Sequence, residues 1–104
     1  MLNNMLNAQL EYEVMYDFKS ISNIDSSDFY RRLDDLIKVP LLSFKLRKLN
    51  DTYLKSYRLE LSVLTVIDTE MPVFKTIDKF ISAGYNPVGN VNFSVTNVTY
   101  KGHI

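Results

Sequence analysis

The chain has 104 residues with twelve basic and twelve acidic side chains, so its formal net charge at neutral pH is zero. That length fits one domain, able to bury roughly 60 to 65 per cent of its unfolded surface without a metal or disulfide. With 46% hydrophobic residues, three Gly, three Pro and no Cys, the composition is that of a globular protein. It excludes a disulfide framework, a thiolate zinc site and a cysteine nucleophile, and it gives no basic field to attract nucleic acid or anionic lipid.

MLNNMLNAQL has neither the basic start nor the continuous apolar stretch of a secretion signal, and no apolar run nears the roughly 20 residues that span a bilayer. The expected protein is accordingly soluble and unexported, with no membrane partner. A short helical turn is expected at residues 2 to 7. In LEYEVMYDF, Leu10, Tyr12, Val14, Tyr16 and Phe18 alternate with Glu11, Glu13, Met15 and Asp17. That period predicts a strand over residues 10 to 18, with the alternative of a helix because Leu10, Val14 and Phe18 recur every four residues. The strand is preferred because a helix would put Glu13 in its apolar stripe and move Tyr12 and Tyr16 out of it.

A helix is expected from about Ser27 to Lys38. Asp25, Ser26 or Ser27 is its N-cap, Phe29, Leu33, Leu36 and Ile37 form one face, and Pro40 forces the chain out of helical angles. Leu42, Phe44 and Leu46 then alternate with Ser43, Lys45 and Arg47. Tyr57, Leu59, Leu61, Val63 and Ile67 alternate with Arg58, Glu60, Ser62 and Asp68. These are two strands joined through an Asn50-Asp51-Thr52 turn. In MPVFKTIDKFISAG, Val73, Phe74, Ile77, Phe80 and Ile81 form a helical stripe, with Asp68 or Thr69 as cap, Pro72 in the first turn and Gly84 as a left-handed stop. GYNPVG reads as a turn. Val91, Phe93 and Val95 alternate with Asn92, Ser94 and Thr96 before Val98 and Tyr100 shift phase, which predicts a strand with a bulge near Asn97.

The order β-α-β-β-α-β predicts an α+β, ferredoxin-like domain of two helices on one face of an antiparallel four-stranded sheet, the alternative being α-α-β-β-α-β with residues 10 to 18 helical. The expected sheet half of the core is Leu10, Tyr12, Val14, Leu42, Phe44, Leu59, Leu61, Val63, Phe93 and Val95, and Phe80 is expected to be buried opposite Phe44.

Candidate chemistry is sparse. Glu11 and Glu13 lie two apart on one strand face, about 6.5 to 7 Å between Cα atoms; beside Lys45, Arg47, Arg58 and Glu60 they read as part of a charged, solvated face. Asp34 and Asp35 diverge on a helix and face solvent. His103, the single histidine, is too near the chain end to be held as a base. Three Asn-x-Ser/Thr triplets, at Asn50, Asn92 and Asn97, read as polar strand and turn residues. YRLELSVL lacks the aromatic signature of an RNA recognition motif. No catalytic residue, metal site or cofactor is assigned, and no nucleic acid is expected as partner. One feature breaks pattern: Leu64 and Val66 follow Arg58, Glu60 and Ser62 on the polar face. Either Leu2, Met5 and Leu6 cover them or they belong to a subunit interface. The candidate interface is Leu64 and Val66 with Lys45, Arg47, Arg58 and Glu60.

YRLELSVLTVID, the helix closing on Ala83-Gly84-Tyr85 and the strand VNFSVTNVTY resemble, as a succession of strand, helix and strand over about half the chain, the carboxyl half of phage tail-terminator or tail-completion proteins, which join head to tail. The resemblance implies a structural protein that forms a ring, commonly hexameric, capping the tail tube through protein partners and without catalysis. The other class the chain fits is a small phage-encoded module that binds and inhibits a host or defence enzyme.

Overall fold

The computed structural model describes residues 8–66, 70–89 and 92–100, with the side chains of residues 8, 66, 70, 71 and 97–100 outside that description. Five strands and two helices follow in the order β1 Ala8–Ser20, α1 Ser26–Ile37, β2 Leu41–Lys48, β3 Lys55–Val66, α2 Glu70–Gly84, β4 Asn86–Pro87 and β5 Asn92–Tyr100. The fold is α+β, with an antiparallel five-stranded sheet ordered β2-β3-β1-β4 and with β5 also paired to β1.

The two-residue period wins over the helical one in the first element. Tyr12, Val14, Tyr16 and Phe18 are buried while Glu13 and Met15 are exposed. Alternation of this kind suits a strand with one wet face, and the helical alternative for residues 10 to 18 is thereby overturned. β1 is longer than expected at both ends and is bonded along both edges, to β3 on one side and to β4 and β5 on the other.

β4 was not foreseen. Proline and glycine in GYNPVG read as chain breakers, yet Pro87 lies opposite Phe18, Asn86 lies opposite Lys19, and Val88 N–H donates to the Asp17 carbonyl at 2.9 Å. Pro is tolerated there because an edge strand does not need its missing N–H. Gly89, at φ 78°, supplies the left-handed residue that steps the chain out before β5 resumes along the same edge of β1. β4 and β5 thus act as one interrupted strand.

Asp25 caps α1 as its position requires, its carboxylate accepting from Ser27 N–H at 3.0 Å and Asp28 N–H at 3.3 Å. Lys38 ends the helix in the left-handed region at φ 57°. α2 ends differently from expectation. Gly84 is its last residue without a positive φ, and Tyr85 N–H still reaches the Ile81 carbonyl at 2.8 Å, so no left-handed stop is used. The expected caps Asp68 and Thr69, and the expected turn at residues 2 to 7, lie outside the described residues. The β2–β3 connection is organised by the side chain of Asn50, whose Oδ1 accepts from Ser56 N–H at 3.1 Å and from the Thr52 hydroxyl at 3.2 Å.

Both helices lie on the face of the sheet that carries Tyr12, Val14, Tyr16 and Phe18, and their stripes close the core: Phe29, Leu33 and Ile37 from α1, Val73, Phe74, Ile77 and Ile81 from α2. Phe29 is fully buried and stacks on Phe18 at 5.8 Å, with Phe80 edge-on at 5.1 Å and Tyr85 tilted at 5.8 Å. Several expected core positions are corrected. Leu42 is exposed because the β2–β3 register slips between Leu41 and Ser43, so that Leu41 takes the inward place opposite Val63. Leu36 flanks the α1 stripe and is exposed. Phe93 and Val95 sit on the sheet edge, 42% and 48% exposed, although Phe93 stacks on Phe74. Phe44 and Phe80 are only partly buried, and the Arg32 guanidinium lies over the Phe80 ring at 5.2 Å.

The Tyr16 hydroxyl donates to the Asp78 carboxylate of α2, tying the central strand to that helix. Burial first, and the neighbouring carboxylate second, push the Tyr16 pKa up to about 12, so the phenol keeps its proton.

Two stability measurements follow. Phe29→Ala is expected to cost about 3 to 5 kcal/mol in urea unfolding, enough to unfold a marginal domain, whereas Glu13→Ala on the wet face costs under about 1 kcal/mol. Lys38→Gly is expected to stabilise by about 1 kcal/mol, because glycine carries no Cβ penalty at a left-handed helix stop.

Candidate functional site

The sheet face away from the helices is uncovered among the described residues, and strand alternation decides what it displays. β1 contributes Glu11, Glu13, Met15, Asp17 and Lys19; β2 contributes Ser43, Lys45 and Arg47; β3 contributes Arg58, Glu60, Ser62 and Leu64. Register converts these into rows across the face. Lys45, Glu60, Met15 and Asn92 lie in one row, and Ser43, Ser62, Glu13 and Ser94 in the next. Between β2 and β5 the twisted surface forms a trough of about 650 Å³ with Lys45, Glu60, Met15, Glu13 and Ser94 on its walls.

Of the six interface residues expected from the sequence, four polar ones meet on this face. Arg47 Nε donates to Glu60 at 3.2 Å, a diagonal cross-strand pair. Arg58 is bidentate on Asp17, with Nε–Oδ1 at 2.8 Å and Nη2–Oδ2 at 3.0 Å. Lys45 lies opposite Glu60 but makes no ion pair among the described residues, and Glu13 likewise has none there. Leu64 is half-buried opposite Glu11 at the far end of the face. Val66 pairs with Gln9 through its backbone, and its side chain lies outside the described residues, as do Leu2, Met5 and Leu6.

The other candidates stay apart. Glu11 is held by the Thr96 hydroxyl, which donates to its carbonyl at 3.1 Å, and Glu13 points to solvent two residues on. Among the described residues no three His, Cys, Asp or Glu side chains gather as a metal would require. Asp34 and Asp35 are both exposed on α1. His103 lies outside the described residues. The sequence reading missed the part of Asp17, because its role depends on the β1–β3 register that places it beside Arg58. Alternation gives the face of a residue but not its neighbour.

The Arg58 hydrogen bonds hold the Asp17 carboxyl below its usual value of 3.8, against a smaller upward push from burial. A carboxyl depressed in the folded state adds stability above its unfolded pKa and loses it as pH falls through the folded one. The stability difference between the native protein and Asp17→Asn is therefore expected to be constant from pH 5 to 8 and to shrink below about pH 4, read by urea titration at each pH.

No helix of the described residues is long and apolar enough to cross a membrane. No protein-family model matches this chain, and no curated protein matches it.

Proposed function

We propose that the protein is a non-enzymatic assembly protein, a ring component of the phage tail-terminator or neck type, whose subunit contacts run through the open face of its sheet. The observation that carries this reading is the face itself. It spans β2, β3, β1 and β5, holds the half-exposed Met15 at its centre, and leaves Lys45 and Glu13 without ionic partners among the described residues on either side of it. A face that only served solubility has no need of a central apolar side chain, whereas an interface core is apolar with a charged rim. The zero net charge adds no long-range repulsion between copies.

The resemblance of the β3, α2 and β5 succession to tail-terminator proteins supports the ring, and the ferredoxin-like arrangement is proposed with it. In support, β3 lies between β1 and β2, and β1 lies between β3 and β5, so that each helix links two strands across a third. Its partners are protein: further copies of itself and neighbouring particle components in the virion or the host cytoplasm. Cofactors and nucleic acid have no part in this reading.

Light scattering tests it. The wild-type chain is expected as a ring of several subunits, and Lys45→Glu, which reverses an exposed unpaired charge, is expected to break the ring while leaving the far-ultraviolet circular dichroism unchanged. A wild-type protein without higher assembly at hundreds of micromolar would overturn the ring and favour the module that binds another protein through the same face.

A further inference from the structure

The two edges of the sheet are built differently. β2 carries Lys45, Arg47 and Lys48 and a register slip at Leu42, the charge and irregularity that keep an edge strand from pairing. β5, nine residues from Asn92 to Tyr100, contains no charged residue, no Gly and no Pro, and among the described residues it pairs only with β1. Its one irregularity is the extra residue Thr96, which leaves Asn92–Val95 regular.

Hydrogen-bond parity fixes which groups face outward. The carbonyls of Asp17 and Glu11 both point toward the β4–β5 side, the first to Val88 N–H and the second to the Thr96 hydroxyl. The odd-numbered residues of β1 therefore bond to β5, and their partners Asn92 and Ser94 are satisfied. Phe93 and Val95, opposite Val14 and Tyr12, turn their N–H and C=O groups away from β1. The same two residues expose their apolar side chains.

We infer that β5 pairs antiparallel with β5 of a second copy of this chain about a two-fold axis at Ser94. In that register Phe93 of each copy faces Val95 of the other in a hydrogen-bonded pair, which satisfies the outward groups and sets an aromatic ring against a β-branched side chain twice. No like charges meet. The same operation on β2, about an axis at Leu46, would set Lys45 of each copy against Arg47 of the other, so the self-paired edge is β5. The contact is isologous, uses up both β5 edges and stops at two chains. It does not depend on the ring, since it uses a different surface.

A chain without native cysteine makes the test direct. Ser94→Cys places the two thiols in a non-hydrogen-bonded pair, with Cα atoms about 4.5 Å apart, within disulfide reach. Air oxidation of this variant is expected to yield a covalent dimer in most of the protein. Ser43→Cys, an exposed serine on β2 at the other edge, is expected to stay mainly monomeric on a denaturing gel. By sedimentation, Lys45→Glu protein is expected at the mass of two chains, and adding Val95→Lys is expected to halve that mass with unchanged circular dichroism. A Lys45→Glu protein that is already monomeric, a two-chain particle that survives Val95→Lys, or equal cross-linking through Ser43→Cys would each overturn the pairing. A wild-type mass of two chains would remove the ring and leave the pairing standing.

Discussion

β1 is bonded along both edges and covered on one face by both helices, and the other elements take their places from it. Tyr12, Val14, Tyr16 and Phe18 project into the core between α1 and α2, so one thirteen-residue strand meets both helical stripes. Its alternation has to be strict. A slip of one residue would carry Glu13 and Asp17 inward, where an unpaired carboxylate costs several kcal/mol, and would turn the four core side chains out to water. The register with β3 then sets the Arg58–Asp17 contact, and the register with β5 sets which main-chain groups are left at the edge.

How much of this was legible in the sequence depends on the range over which each signal acts. Asp25 before Phe29, and the alternation from Leu10 to Phe18, are local statements about one face of one element, and the structure agrees with them. The phase shift after Val95 also announced itself: Val98 and Tyr100 return to register with Leu10 and Ala8 once Thr96 is set aside. Leu42 departs from its expected inward place because a bulge on β2 depends on its partner strand, and nothing in LLSFKLRK marks it. The alternation of Phe93 and Val95 predicts core positions, yet how much of an edge strand a helix covers is a matter of tertiary packing. β4 was hidden by its own composition. Proline and glycine signal a turn, and only the free edge of β1 beside Phe18 makes Asn86 and Pro87 a strand.

The open face was legible as a set and not as a site. Lys45, Arg47, Arg58 and Glu60 were grouped by alternation, but their pairing came from register, which satisfies Arg47, Glu60 and Arg58 and leaves Lys45 aside. The exposed Arg47–Glu60 pair contributes little to stability, so its arrangement weighs more on recognition than on the fold. The aromatic cluster works in the opposite sense. Phe18, Phe29, Tyr57 and Tyr85 bring ring area from four separate elements or connections to one point, and they hold the two helices to the sheet without contributing to the face behind it.

The pairing of residue 8 with residue 100 across β1 and β5 also bears on how the chain is made. β1 leaves the ribosome before the other described strands, yet the partners on one of its edges emerge last among them. Until they emerge, a long apolar strand has one side unpaired, and helices α1 and α2 have only part of their platform. Closing such distant contacts is slow compared with forming a local hairpin such as β2–β3. From the emergence of β1 until that of β5 the nascent chain therefore carries Tyr12, Val14, Tyr16 and Phe18 on an incomplete sheet, and holdase chaperones that bind extended apolar segments would meet it there.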